Sequence, residues 1–144
     1  WGMAALTSLV GTVKMCEIGA YTVGRLIGRH KMAPVLSPGK TLEGAAGGIA
    51  FACLGSWLSL AVLLPKMVAD PPHVGWWWIP FGIIVGLAGM MGDLAESLIK
   101  RDVDRKDSSS WMPGFGGVLD LLDSILFAAP VAYLLWIVMT SWNA

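Results

Sequence analysis

At 144 residues, of which 56% are hydrophobic and only 14% are charged, the chain is too apolar for a soluble domain. Its mean hydropathy of +0.66 and its eight tryptophans are typical of integral membrane proteins. A formal net charge of zero argues against nucleic-acid binding as its main function. We therefore expect an all-α fold, a polytopic integral membrane helical bundle.

The first predicted span, residues 1–28, contains an ionisable pair. Lys14 and Glu17 lie three residues apart and share one helix face. Charges at membrane depth are costly and normally face a bundle interior or a water-filled cavity. The pair is predicted either to line a polar cavity or to mark a helix end where Lys14 reaches the interface. Because the chain opens at Trp1 in apolar sequence, we expect it to be the C-terminal part of a longer polytopic protein.

The connection after this span is basic. Pro38 and Gly39 are predicted to form a turn, and Thr41 is a candidate N-cap for the following helix, with Glu43 in its first turn. Capping does not explain Lys40, because a cation near a helix N-terminus opposes the helix dipole. An anion bound there would reverse that balance.

Three further spans follow. Residues 44–64 carry no charge and are long enough to cross a hydrocarbon core about 30 Å thick. Residues 75–93 open on a run of tryptophans, and Gly82, Gly86 and Gly89 follow the small-residue spacing that permits close helix packing. The last span covers residues 118–142.

Loop charge predicts the orientation of the bundle. The connections over residues 29–43 and 94–117 are rich in Lys and Arg, whereas the turn between the second and third spans holds only Lys66. By the positive-inside rule, both basic connections face the cytoplasm. A cytosolic nucleotide or phosphate compound could therefore meet both.

Residues 92–124 concentrate charge in an otherwise apolar chain. Carboxylate oxygens suit Mg²⁺, Lys and Arg suit phosphate oxygens, and glycines let backbone N–H groups approach an anion. The alternative interpretation is a solvated, charged loop between two helices. The acidic residues are Asp93, Glu96, Asp102, Asp104, Asp107, Asp120 and Asp123, and the basic residues are Lys100, Arg101, Arg105 and Lys106.

The third helix would present several of these groups on one face if it continues past its apolar part. Asp93, Ser97 and Lys100 recur at helical spacing, with Arg101 beside them. Glu96 lies four residues before Lys100 and is predicted to pair with it.

Asp120 and Asp123 would share a face at the start of the last helix. Carboxylates on two neighbouring helices can hold a hard cation between them, and attack on a phosphoryl group needs such a cation. The two residues also have a plainer interpretation as first-turn acids that stabilise the helix dipole, although one Asp would suffice for that. With Asp93 on the preceding helix, the pattern favours a metal site.

These residues resemble the C-terminal signature of the phosphatidate cytidylyltransferases, also called CDP-diacylglycerol synthases. The resemblance runs from Lys14 to about Pro130. Phe115, Leu121 and Glu17 stand where that family usually has His, Arg and Asp. The matching segments are Gly19-Ala20-Tyr21, Gly24-Arg25, Gly28-Arg29, Ser37-Pro38-Gly39-Lys40-Thr41-Leu42-Glu43-Gly44, Ser97, Lys100-Arg101, Lys106-Asp107, Pro113-Gly114-Phe115-Gly116-Gly117 and Asp120-Leu121-Leu122-Asp123.

The resemblance implies cytidylyl transfer from CTP to phosphatidate with Mg²⁺ as cofactor, giving CDP-diacylglycerol and pyrophosphate. It also implies a bacterial inner membrane protein whose active site faces the cytoplasm, with membrane lipid around it and a homodimer as one assembly. The implied catalytic residues are Asp93, Lys100, Arg101, Lys106, Asp107, Asp120 and Asp123, of which Asp93, Asp120 and Asp123 would bind the metal. The implied substrate contacts are Lys40, Ser97, Glu43, Glu17, Gly114, Gly116 and Gly117.

Two alternatives stay open. A related CTP-dependent membrane enzyme, such as a polyprenol kinase or a CDP-archaeol-type synthase, would fit the departures at Phe115 and Leu121. A transporter or structural membrane protein would use its charges without catalysis. Against this second alternative, the acids are predicted at span ends on one face, whereas transporter sites usually lie at the midplane.

Overall fold

The computed structural model describes residues 2–34, 37–69, 71, 73–102 and 118–142, with the backbone alone for 118–121 and 142. In this part of the chain, four helices are long and apolar enough to cross a membrane: Gly2–Ile27, Leu42–Met67, Trp78–Asp102 and Leu122–Ser141. The predicted all-α, polytopic membrane bundle is therefore confirmed.

The elements follow one another with a small hairpin after the first helix. They are α1 (Gly2–Ile27), β1 (Lys31–Ala33), β2 (Ser37–Thr41), α2 (Leu42–Trp57), a π-helical segment (Leu58–Leu63), α3 (Leu64–Met67), α4 (Trp78–Asp102) and α5 (Val118–Trp142). α2, the π-helical segment and α3 form one continuous span. α4 begins at Trp78, three residues after the predicted start, because the chain turns at Gly75, whose φ of 49° suits glycine.

The hairpin corrects one detail of the sequence analysis. β1 and β2 pair antiparallel, with Lys31 opposite Thr41 and Ala33 opposite Ser37, so the chain reverses between Ala33 and Ser37. The predicted turn at Pro38 is therefore wrong, because this residue lies within β2. Both strands of a two-stranded hairpin are edge strands, and Pro is tolerated there because its missing N–H costs no ladder hydrogen bond on the open side.

α1, α2 and α4 approach one another closely at glycines. A Cβ atom at Gly82 would lie 2.6 Å from Cys53 Cα, and one at Gly86 would lie 2.9 Å from Ala52 Cβ. These two glycines therefore permit the close packing that their spacing predicts. At Gly89 the nearest atom would be 3.6 Å away, which is an ordinary contact.

The apolar core lies between α1, the second span, α4 and α5. Its most deeply buried side chains include Val13, Leu60, Phe81 and Met139. A buried hydrogen bond from Trp136 Nε1 to Ser8 Oγ, 2.9 Å long, joins α5 to α1. Because a buried indole N–H needs a partner, this bond specifies how the first and last helices meet.

Two cysteines lie on this packed interior as free thiols. Cys16 Sγ on α1 lies 3.7 Å from the backbone oxygen of Gly86 on α4. Cys53 Sγ on α2 lies 3.9 Å from the backbone oxygen of Ile79. Both thiols therefore behave as small packing groups with weak S–H donors.

Candidate functional site

Thr41 begins α2 as its N-cap, as predicted. The Thr41 side chain accepts a hydrogen bond from Gly44 N at 3.1 Å, which satisfies one of the free N–H groups of the first turn. The end of α1 closes over this cap, because a Cβ atom at Gly28 would lie 2.6 Å from Thr41 Oγ1. Glycine at position 28 therefore lets α1 end directly against the start of α2.

Glu43 ties the residues after α1 to the first turn of α2. Its carboxylate accepts hydrogen bonds from Arg29 N at 3.1 Å and His30 N at 3.2 Å, and His30 Nδ1 lies 2.6 Å from the other oxygen. Leu42 N also donates to the backbone oxygen of His30 at 2.9 Å. We call this set of bonds the Glu43–His30 link; it holds the base of the hairpin.

Lys40 extends from β2 to α4. Its Nζ lies 2.7 Å from Asp93 Oδ2, and the two side chains are 24% and 42% exposed. The Nζ atom itself is buried. The hairpin therefore places a cation next to the part of α4 that carries the acidic residues.

Two helices bring three carboxylates together. Asp93 and Glu96 on α4 and Asp123 on α5 each offer one oxygen, and these three oxygens lie within 4.8 Å of one another. We call these residues the carboxylate cluster. Glu96 is 9% exposed, and its Oε1 lies 3.1 Å from Lys100 Nζ, so the predicted pair between Glu96 and Lys100 is confirmed.

Gly92 allows the two helices to meet at this point. A Cβ atom on Gly92 would lie 2.6 Å from Phe127 Cβ and 3.0 Å from the backbone oxygen of Asp123. Any larger residue would push α4 away from α5, because the Asp123 contact is with rigid backbone. The position of Asp123 beside Asp93 therefore depends on a glycine one residue earlier in the chain.

The donor set of the carboxylate cluster fits a hard divalent cation. It offers carboxylate oxygens, which Mg²⁺ prefers over nitrogen or sulfur. Two local hydrogen bonds lie next to its members: Ser97 Oγ donates to the backbone oxygen of Asp93 at 2.8 Å, and Ser124 N donates to Asp123 Oδ1 at 2.6 Å.

A cavity of about 330 Å³ opens beside Lys40 and Asp93. α1 contributes Glu17 and Tyr21 to its wall, and Met90 of α4 adds apolar surface. The lining of the cavity therefore combines charged and apolar side chains. Its remaining lining residues are Ala20, Met32, Gly39, Thr41, Gly44 and Ala45.

The predicted pair on α1 has one member at this cavity. Glu17 lines it and lies 2.8 Å from Lys14 Nζ. Lys14 does not belong to the lining, so the prediction that the pair lines a polar cavity is confirmed for Glu17 and wrong for Lys14 at this cavity.

The structure thus brings together part of the predicted site. Asp93, Asp123 and Lys40 meet, Lys100 joins them through Glu96, and Ser97 lies one turn after Asp93. Glu43 instead bonds to His30, so its predicted substrate contact stays a prediction. Arg101 is exposed in the last turn of α4.

The other predicted site residues lie outside the part of the structure that can be described. Asp120 is in the first turn of α5, but its side chain is not described. The residues that fall wholly outside the described ranges are Lys106, Asp107, Gly114, Gly116 and Gly117.

Glu96 is the site residue that the sequence analysis missed. It lies three residues after Asp93 and therefore on the same helix face, which is the signal that could have identified it. Its predicted pairing with Lys100 already accounts for its charge. In the structure, the Glu96 carboxylate takes part in both contacts: it lies near Asp93 and Asp123, and it pairs with Lys100.

The fold and this site define an integral membrane protein that gathers carboxylates and lysines beside a cavity between its helices. The chain belongs to the cytidylyltransferase family, whose family model matches residues 1–139. The resemblance drawn from its motifs is therefore confirmed.

Curated bacterial relatives named phosphatidate cytidylyltransferase match most of the chain. The Chlamydia trachomatis protein is 40% identical over 128 residues, covering 87% of this chain and 40% of the relative. The Brucella suis protein is 39% identical over 135 residues, covering 93% and 47%. The Bacillus subtilis protein is 43% identical over 119 residues, covering 83% and 42%. The chain therefore spans less than half the length of these relatives.

Proposed function

We propose that the protein transfers a cytidylyl group from CTP to phosphatidate, giving CDP-diacylglycerol and pyrophosphate for phospholipid biosynthesis. The observation that carries this proposal is the carboxylate cluster on α4 and α5, met by Lys40 from the hairpin. The names of the relatives support the choice of CTP and phosphatidate as substrates.

In this reaction a phosphate oxygen of phosphatidate attacks the α-phosphorus of CTP. A new phosphorus–oxygen bond forms, the bond from the α-phosphorus to the bridging oxygen breaks, and pyrophosphate leaves with its electron pair. An ionised phosphomonoester is already a nucleophile and needs little help from a general base. Phe115 at the usual histidine position is therefore compatible with the reaction.

The chain's own residues would mainly position the phosphates and neutralise their charge. Lys40 and Lys100 lie beside the carboxylate cluster and can contact phosphate oxygens. Arg101 and Lys106 stay predicted phosphate contacts, and Asp107 a predicted nucleotide contact.

Asp93, Glu96 and Asp123 would hold Mg²⁺, with Asp120 as a further predicted ligand. A bound Mg²⁺ would supply charge neutralisation on the nucleotide phosphates. The fit of the three described oxygens to a hard cation supports this assignment.

The cavity supports a substrate with an apolar part next to a phosphate. Its lining includes Lys40, which provides a cation, and Tyr21, Met32 and Met90, which provide apolar surface. Phosphatidate has this combination, with its phosphate joined to glycerol and acyl chains. Glu17 would then contact a polar group of the substrate within the same cavity.

We also propose that the site faces the cytoplasm from the bacterial inner membrane. The loop charges support this orientation, since the basic connection before α2 lies on the same side as the basic residues at the end of α4. The homodimer allowed by the family resemblance stays a prediction.

The proposal is tested by pyrophosphate release from the detergent-purified protein with CTP, phosphatidate and Mg²⁺. We expect release to require all three and to fall by at least about 100-fold in Asp93→Asn, because a metal oxygen and the partner of Lys40 are altered together. Asp102→Asn is the matched control, since Asp102 is an exposed aspartate at the end of the same helix. Release that survives Asp93→Asn, or a folded wild type that releases none, would refute the proposal.

A further inference from the structure

The carboxylate cluster is compensated by two lysines that come from different parts of the fold. Lys100 lies on α4, one turn after Glu96, so the helix itself holds this pair together. Lys40 comes from β2 and reaches Asp93 across the boundary between the hairpin and α4. Breaking the pair between Lys40 and Asp93 therefore removes a contact between two elements. Breaking the pair between Lys100 and Glu96 removes only a contact within α4.

Three carboxylate oxygens that lie within 4.8 Å of one another repel because they carry like charges. A nearby ammonium lowers this cost, and the pair at 2.7 Å places the Lys40 ammonium directly on one of the three residues. A divalent cation bound to the same oxygens would provide the same compensation. Lys40 and such a cation therefore have overlapping electrostatic roles at Asp93.

Lys40 also faces the place where an anionic substrate would bind. It lines the cavity together with Asp93 and Glu17. An ammonium carries three N–H donors, and among the described residues none offers the buried Nζ a well-aligned hydrogen-bond acceptor. Lys40 can thus donate to an oxygen in the cavity after it leaves Asp93.

We propose that Lys40 is an exchangeable counter-ion: it holds Asp93 when no divalent cation is bound and turns to the substrate phosphate when the cation takes the carboxylates. The proposal rests on the magnesium site of the proposed function. The proposal predicts that binding of the cation and binding of the phosphate are coupled. Cation binding frees Lys40 to contact the phosphate, and phosphate binding draws Lys40 away from Asp93, which then can bind the cation. By linkage, each ligand then raises the affinity for the other by the same factor.

Chemical labelling of lysines, read site by site by mass spectrometry, tests the exchange without catalysis. With an amine-acylating reagent and the detergent-purified protein, we expect little labelling of Lys40 without metal and a several-fold increase on adding Mn²⁺. Lys66 lies in α3, outside the carboxylate cluster and the cavity lining, and serves as the internal reference. Its labelling should not change when metal is added.

Two aspartate variants separate exchange from a general loosening of the site. Asp93→Asn removes the partner of Lys40, so Lys40 should label readily even without metal. Asp123→Asn removes a metal oxygen but keeps the pair between Lys40 and Asp93, so Lys40 should stay protected when Mn²⁺ is added. If the wild type binds Mn²⁺ but the extent of Lys40 labelling does not change, the proposal is overturned.

Metal affinity gives a second readout. Titration of Mn²⁺ followed by electron paramagnetic resonance should show about two- to fivefold tighter binding in Lys40→Met, the size expected for loss of a partly exposed competing ion pair. Lys66→Met is the control and should leave the affinity unchanged. Equal or weaker binding in Lys40→Met would contradict the exchange, whereas a wild type that binds no Mn²⁺ would instead remove the proposed metal site.

Discussion

The two sides of the site are held together in different ways. On the hairpin side, Thr41 caps α2 and the Glu43–His30 link joins residues that are near one another in the chain. On the helix side, Asp123 meets Asp93 only because α4 and α5 pack closely. Local hydrogen bonds therefore position the cation Lys40, whereas helix packing positions the carboxylate oxygens.

The largest effect should come from the helix side, at Glu96. Glu96→Gln keeps the size of the side chain but removes a charge from the carboxylate cluster. We expect pyrophosphate release to fall by at least about 100-fold, because the proposed cation loses an anionic ligand. The fold should persist, since the variant relieves repulsion among the three carboxylates while it weakens the pair with Lys100, and circular dichroism in detergent checks this.

The same chemical change on the hairpin side, at Glu43, should have a smaller effect. Glu43→Gln should reduce release by about tenfold or less, mainly through KM, because it weakens the Glu43–His30 link that positions Lys40 indirectly. It should also lower Tm, because the Glu43–His30 link joins the residues after α1 to the first turn of α2. Equal losses of kcat in Glu43→Gln and Glu96→Gln would contradict the proposal that Glu96 contacts the cation directly while Glu43 acts only by positioning Lys40.

A smaller and mainly structural effect should follow from changing the helix contact. Gly92→Ala places a methyl group against Phe127 and the backbone of Asp123, so we expect a loss of about 1–3 kcal/mol in stability. Gly89→Ala is the matched control on the same helix, since its Cβ would lie 3.6 Å from the nearest atom, which is an ordinary contact distance. Thermal unfolding in detergent measures both, and an equally destabilised Gly89→Ala would contradict the packing argument.

The smallest effect should come from the helix cap. Thr41→Ala removes the hydroxyl that accepts from Gly44 N, and we expect a loss of about 1 kcal/mol. Thr41→Ser keeps the hydroxyl and should recover most of that stability. If serine is no better than alanine, the cap does not contribute as described.

The bundle and the helix cap could be predicted from the sequence because both depend on local patterns. Uncharged runs predict spans, and Thr41 before an apolar helix predicts a cap. The hairpin could not be predicted in this way. Its strands are short, and they are supported by contacts such as Lys31 Nζ to the backbone oxygen of Pro38 at 2.6 Å and Leu42 N to His30.

The candidate site was only partly predictable for the same reason. The spacing of Asp93 and Lys100 on one helix is visible in the sequence, and so is the acidic start of α5. The meeting of Asp123 with Asp93 depends on the contact between two helices at Gly92. In the sequence, pairing with Lys100 is a sufficient local explanation of the charge of Glu96, so nothing there indicates its contact with Asp123.

Direct metal binding tests the central claim, that α4 and α5 together form a cation site. Mn²⁺ titration followed by electron paramagnetic resonance should show binding in the wild type and in Asp102→Asn, and binding at least about tenfold weaker in Asp123→Asn. Such a result would place the cation between the two helices. Undiminished Mn²⁺ binding in a folded Asp123→Asn protein would contradict the account.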